Sequence, residues 1–205
     1  MIKQLAIIGA SGHGKVVADI ARANGIEDIV FYDDRWREIK AHYGFAVIGS
    51  VQEAFNAYLI DKVTVVALGN NQTRAKLQQQ LKLISPPLIH PSAIISPSAK
   101  IGAGTVIMPH AVINADAVIG DGCIVNTGAI VEHDCEVGDF VHISPNAALA
   151  GGVKVGSHSW LGIGSSVIQL VRVGQYVNVG AGAIVIRNIA DQETVVGNPA
   201  KSLKR

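Results

Sequence analysis

The chain has 205 residues, 49% of them hydrophobic, and a mean hydropathy of +0.34, which excludes a disordered protein and leaves room for two small domains or one large one. Only 5% of residues are aromatic against 22 glycines, so the buried material is aliphatic and small, as in a regular stacked core. With 17 basic and 16 acidic residues and only Lys201, Lys204 and Arg205 clustered, no nucleic-acid partner is expected; no stretch reads as a secretory leader or a membrane span, so the expected location is cytoplasmic, without membrane insertion.

In chain order, residues 4–10 read as a strand, 14–25 as a helix closing near Gly25, and 28–34 as a second strand, a βαβ unit. A helix over 51–60, a strand over 63–68 and a helix over 73–83 follow, and Pro86 and Pro87 mark a boundary. The organisation is therefore an α/β domain of Rossmann type over 1–85 and a second unit over 86–205. The first turn, Gly9-Ala10-Ser11-Gly12-His13-Gly14-Lys15, brings backbone N–H groups to a helix N-terminus suited to phosphate. It departs from the dinucleotide fingerprint, and Val16 stands where a nucleotide hydrolase needs Ser or Thr for Mg²⁺. Asp33 and Asp34, and Gly69, Asn70 and Asn71, end strands at the same sheet edge, where open parallel sheets contact ligands. These segments together bracket a nucleoside diphosphate; a tight strand-to-helix turn without ligand is the alternative.

From Ile89, steps of six reach seventeen positions ending at Val185, and every one is Ile, Leu or Val. Four residues beyond each, from Ala93 through Cys123, Ala129 and Cys135 to Ala183 and Ile189, most residues are small. A six-residue period fits neither a helix nor a meander; it fits a short strand plus a turn wound around a prism, three units to an 18-residue coil. Residues 89–190 give between five and six coils, a column of roughly 27 Å at the interstrand spacing. Glycines directly after the aliphatic position (Gly102, Gly120, Gly138, Gly156, Gly162, Gly174, Gly180) are expected to supply dihedrals that other residues disfavour. Cys123 and Cys135 share the inward phase and read as reduced core thiols.

Acyl transfer to an amine or hydroxyl needs a base of near-neutral pKa, which makes the seven histidines the candidates. His133 occupies an outward turn position, with Asp134 beside it to orient the ring. One coil on is Gly151 and one coil back is Ala115, so His133 opens into space where the Gly151 N–H can meet an oxyanion. A solvated turn histidine is the alternative. His110, under Gly128, shares part of this logic; His142 has Trp160 one coil on and is expected to pack against it. No His and Cys set has zinc-like spacing, so no metal is expected.

The set Gly9-Ala10-Ser11-Gly12-His13-Gly14, Phe31-Tyr32-Asp33-Asp34, Gly69-Asn70-Asn71, Asn126-Thr127, Glu132-His133-Asp134, Phe140-Val141-His142 and Val196-Gly197-Asn198-Pro199-Ala200-Lys201 resembles the hexapeptide-repeat sugar-nucleotide acetyltransferases of bacterial glycan pathways, in particular the UDP-4-amino-sugar N-acetyltransferases of bacillosamine synthesis. The resemblance implies a left-handed parallel β-helix, a homotrimer, acetyl-CoA bound along the column, and a UDP-linked amino sugar held by the N-terminal domain at Gly12, His13, Asp33, Asp34, Gly69, Asn70 and Asn71. It implies that His133 is the general base, with Asp134 and Asn126 in the catalytic set, that His142 and Gly151 lie near the thioester, and that Ile163 and Ala181 follow the pantetheine. Asp134 replaces the Glu of the family pattern and is one methylene shorter. Sialic acid O-acetyltransferases are similar too, so O-acetylation, a GDP-linked amino sugar and a non-catalytic trimeric scaffold are the competing expectations.

Overall fold

The computed structural model describes residues 4–56 and 62–203; the expected helix over 51–60 therefore lies partly outside the described residues. The N-terminal domain is a parallel sheet with helices packed on it. Strands β1 (Gln4–Ile8), β2 (Asp28–Tyr32) and β5 (Lys62–Val66) and helices α1 (Gly12–Ala23) and α2 (Val51–Asn56) fall close to the expected places, and α3 (Asn71–Gln78) starts near its expected place but ends five residues before the expected 83. Two strands escaped the sequence reading: β3 (Ala41–His42) turns back antiparallel onto β4 (Phe45–Gly49), which pairs parallel with β2 and extends the sheet to the order β3-β4-β2-β1-β5. The alternating burial of β4, the mark of a strand near a sheet edge, is carried by only five residues.

From Leu88 to Val185 the chain winds into a parallel β-helix of two-residue rungs stacked at intervals of 18 residues, as in Val112 with Ile130 and Ile113 with Val131. Three faces result. The first runs from Ile94–Ile95 to Ile184–Val185 in six strands, the second from Lys100–Ile101 to Arg172–Val173 in five, and the third from Leu88–Ile89 to Thr194–Val196, closed by the antiparallel strand Lys201–Ser202. The aliphatic phase fills the prism and the small phase lines its corners; Cys123 and Cys135 are both buried free thiols, as expected.

Two expectations need correction. The glycines that follow the aliphatic residues have ordinary φ; the left-handed positions lie two residues later, at Gly104, Gly122, Gly152 and also at Asp116, Asp134 and His158. The first set is glycine for lack of room: a Cβ on Gly102 would lie 2.5 Å from the Gly120 carbonyl carbon and 2.6 Å from Asp121 N. The final turn is also two residues short, so Ile189 bridges Val173 rather than occupying a corner, and Asn178 pairs with Thr194.

The outward residues of the third face locate the site. Leu88, Val106 and Ile124 are aliphatic and almost fully buried, because α1 covers them with Val17, Ile20 and Ala21 in one continuous apolar cluster. One rung further the same column becomes His142, then Trp160 and Asn178. The cover ends there and a groove begins.

Candidate active site

Two groups of side chains carry chemistry, and they sit on different edges of the column. At the edge between the first and second faces, the turn after Ile130–Val131 projects His133 into solvent. Its Nδ1 lies 2.7 Å from Asp134 Oδ2, so Asp134 reaches the ring despite its short side chain. That hydrogen bond, with the Asp134 and Glu132 charges, outweighs desolvation and raises the His133 pKa above its usual value. With Nδ1–H committed to Asp134, Nε2 is the nitrogen left to accept a proton. The ring lies against Gly151, as the 18-residue step requires, and the neighbouring Gly152 N–H donates to the His133 carbonyl at 2.9 Å.

The second group surrounds a groove of about 520 Å³ between the third face and the start of α3, lined by Gly69, Asn70, Asn71 and Gln72 on one side and by His142, His158, Trp160, Tyr176 and Asn178 on the other. Asn70 caps α3 by accepting from Thr73 N at 2.9 Å, and Asn71 Nδ2 donates to the His158 and Ser159 carbonyls, each at 3.1 Å. The rings form two stacks: His142 on Trp160 at 5.9 Å, and His158 between Phe140 and Tyr176 at 5.6 and 4.7 Å. Asn126, at the edge between the third and first faces, places Nδ2 3.1 Å from His142 Nε2.

Beneath this groove lies Arg74, which is 1% exposed. Its five N–H groups are all spent on oxygens: Nε on Gly122 O, Nη1 on Leu68 O and Gly69 O, Nη2 on Asn71 Oδ1 and Phe140 O. No carboxylate is among these partners, and burial lowers its pKa to about 10. Burial first, and the Arg74 charge second, push His13 down to about 4 and His142 to about 3, with His13 adding to the effect on His142. Both rings are therefore neutral near pH 7. His13 Nε2 is buried without a partner at the start of α1, whose Ser11 provides no side-chain cap.

Asp33 and Asp34 are already engaged. Asp33 accepts from Ala10 N at 2.9 Å and from Arg35 N and Nε at 3.0 Å each; burial works against its ionisation, but these bonds prevail and hold its pKa low. Asp34 accepts from Val51 N at the start of α2. Ile163 and Ala181 lie one coil apart on the Asn126 edge, where Gly182 N donates to Ile163 O, and Ile163 is 60% exposed.

The sequence set thus divides: His133, Asp134 and Gly151 form one cluster, Asn126 and His142 another, with the first face between them. Arg74 and the stack of His158 between Phe140 and Tyr176 were missed, whereas the packing of His142 on Trp160 is as expected. The signal for the groove lay in the step from aliphatic to polar along Leu88, Val106, Ile124, His142, Trp160 and Asn178; Arg74, on a polar helix, gave none. Among the described residues, no cluster of three or more His, Cys, Asp and Glu side chains is placed to hold a metal ion, and no helix is long and apolar enough to cross a membrane.

An α/β domain seated on a column of hexapeptide coils, with an imidazole hydrogen-bonded to a carboxylate at an exposed turn, is the architecture of a hexapeptide-repeat acyltransferase. Residues 4–81 match the PglD N-terminal domain and residues 116–151 the bacterial transferase hexapeptide (six repeats). UDP-N-acetylbacillosamine N-acetyltransferase of Bacillus subtilis (strain 168) is 41% identical over 111 residues, 51% of this chain and 51% of that protein, so the match spans about half of the curated relative. The acetyltransferase domain of PglB from Neisseria gonorrhoeae FA1090, solved in complex with acetyl coenzyme A, is 45% identical with a TM-score of 0.95, covering 99% of this chain and 100% of that one. PerB from Caulobacter crescentus, solved with CoA and GDP-perosamine, is 39% identical with a TM-score of 0.91, covering 100% and 99%. The chain belongs to this family of acetyl-CoA-dependent sugar-nucleotide acetyltransferases.

Proposed function

We propose that the chain transfers the acetyl group of acetyl-CoA to the 4-amino group of a UDP-linked amino-deoxy sugar of the bacillosamine type. The observation that carries the reading is His133: an accessible imidazole whose Nδ1 is held by Asp134 and whose Nε2 is free to take a proton beside the Gly151 backbone. The neutral sugar amine attacks the thioester carbonyl, His133 Nε2 removes the amine proton, the carbon–sulfur bond breaks, and coenzyme A leaves as thiolate or thiol. The Gly151 N–H is the donor for the oxyanion.

The sugar nucleotide is assigned to the C-terminal edge of the N-terminal sheet, with phosphate at Gly12 and His13 and the nucleoside near Asp33, Asp34 and Gly69. Asn70 and Asn71 wall the groove in which the sugar lies, and the pantetheine follows Ile163 and Ala181. Since His133 and His142 stand on separate edges, one protomer completes the site of its partner, and the assembly is a homotrimer. The first face supports this: its outward residues include Ile94, 65% exposed, and Ile130. Ile130→Glu is expected to dissociate the trimer, read by sedimentation, and to abolish transfer; an active monomer would exclude a shared site.

The likeness to PerB favours a second reading, a GDP-linked amino sugar as acceptor. Product mass after incubation of acetyl-CoA with UDP- and GDP-linked 4-amino-4,6-dideoxy sugars decides between them. Acetylation of the UDP sugar alone is expected. Transfer only to a hydroxyl acceptor such as sialic acid, or no binding of acetyl-CoA by calorimetry, would overturn the proposal in favour of an O-acetyltransferase or a scaffold.

A further inference from the structure

The hydrogen bonds around His142 fix which of its nitrogens carries the proton. Thr127 N–H donates to Asn126 Oδ1 at 2.8 Å, which sets the orientation of the Asn126 amide. Its other end, Nδ2, is 3.1 Å from His142 Nε2. An amide nitrogen only donates, so Nε2 accepts and the ring proton is on Nδ1. The ring plane is fixed as well: the Trp160 indole stacks on it, tilted by only 11°, and Trp160 Nε1–H donates to Ser144 Oγ at 2.6 Å. Among the described residues nothing pairs with His142 Nδ1, and His142 lines the groove.

We propose that Asn126 and Trp160 are positioning residues that hold His142 as its Nδ1–H tautomer, so that this ring offers the groove a hydrogen-bond donor and cannot serve as a second base. The ligand atom it takes is an acceptor; resting on the acetyl-transfer reading above, that atom is the thioester carbonyl oxygen, whose developing charge the donor stabilises. Burial and the nearby Arg74 charge keep the ring from taking a second proton, which would set Nε2–H against the Asn126 amide. Asn126 thereby acts through His142.

Nitrogen NMR of the ¹⁵N-histidine-labelled full chain, without ligand at neutral pH, tests this. The His142 signals are assigned by their loss in His142→Gln. Nε2 is expected at the shift of an unprotonated nitrogen and Nδ1 at that of a protonated one; the reverse pattern, or an averaged one, would overturn the proposal. Asn126→Ala is expected to shift the ring to Nε2–H and to lower kcat on the order of 10-fold or more. Trp160→Phe, which keeps a stacking ring, is expected to retain the tautomer and most of the turnover, and Trp160→Ala to lose both. Lost turnover in Asn126→Ala with the Nδ1–H tautomer intact sinks the positioning role, and a switched tautomer with full turnover sinks the donor role. The tautomer is read in the resting protein, so an unsubstituted chain that acetylates no amino-sugar nucleotide would overturn the functional reading separately.

Discussion

The imidazole of His133 rests on the backbone of Gly151, so closely that a Cβ at Gly151 would lie 2.6 Å from both Cε1 and Nε2. Gly151 has an ordinary φ, so Gly151→Ala introduces no backbone strain. The ring has open solvent to move into. The substitution is expected to leave the melting temperature nearly unchanged while displacing Nε2 and lowering kcat by roughly 10-fold or more, since misplaced groups lose catalytic effect steeply. His133→Ala removes the base proposed above and is expected to cost on the order of 10²-fold. Steady-state rates beside thermal melts check both; normal turnover in His133→Ala would remove it from the mechanism.

The pair of His133 with Asp134 makes a signed prediction about pH. Hydrogen bonding to Asp134 raises the His133 pKa above 6.5, and a base works only when unprotonated. The rate therefore falls as pH drops through that raised value. Asp134→Asn removes the charge, lets the pKa return toward 6.5, and moves the acid limb of kcat/KM to lower pH. The plateau above the limb falls as well, because a less basic imidazole accepts the amine proton less readily. A pH–rate profile of the variant that superimposes on the parent would show that Asp134 does not act on the base.

The column was legible because sterics repeat. Each coil must put a bulky aliphatic inside and a small residue at the corner, so any departure at Ile89 through Val185 would break the stack, and the sequence carries that constraint position by position. The same arithmetic put Gly151 against His133. It erred where the reason for a residue, and not its phase, was at issue: Gly102 and Gly120 are small because the next coil passes over them. Contacts between the two domains left little trace. Arg74 sits on an eight-residue helix of mostly polar composition, and its meaning depends on Gly122 and Phe140, which come close only once the column is wound. His133 and His142 lie nine residues apart in sequence and on different edges in space, which only the order of faces reveals.

Two buried, neutral histidines that share the Arg74 charge make the fold sensitive to acid. His13 and His142 have pKa values near 4 and 3 in the folded chain against 6.5 when unfolded. Above about pH 6.5 neither state binds the proton and stability is unaffected. Below it the unfolded chain takes up protons that the folded chain refuses, so stability is lost as pH falls from 6.5 toward 4, by about 1.4 kcal/mol per pH unit for each ring. Urea melts between pH 7 and 4.5 measure this slope, to which His158, its pKa also lowered by burial, adds, and His142→Gln is expected to make it shallower. An unchanged slope in that variant would place the acid sensitivity elsewhere.

Arg74 ties the α/β domain to the column, and its removal shows how strongly. Its guanidinium joins Leu68 and Gly69 of the first domain to Gly122 and Phe140 of the second, and orients Asn71. Arg74→Leu fills much of the space but leaves these buried carbonyls without donors, each costing about 1–3 kcal/mol less whatever water restores. A total loss of about 3 kcal/mol corresponds to a fall in Tm of roughly 6–12 °C for a chain of this size. Arg74→Lys keeps the charge but supplies fewer donors from a single point, so its stability is expected to lie between those of the parent and the leucine variant. The two also separate charge from anchoring. His142 loses its cationic neighbour only in Arg74→Leu, so its pKa is expected to rise there and to stay low in Arg74→Lys. Thermal melts paired with a histidine titration read both, and a leucine variant that melts with the parent would show that the domains are held together without the Arg74 hydrogen bonds.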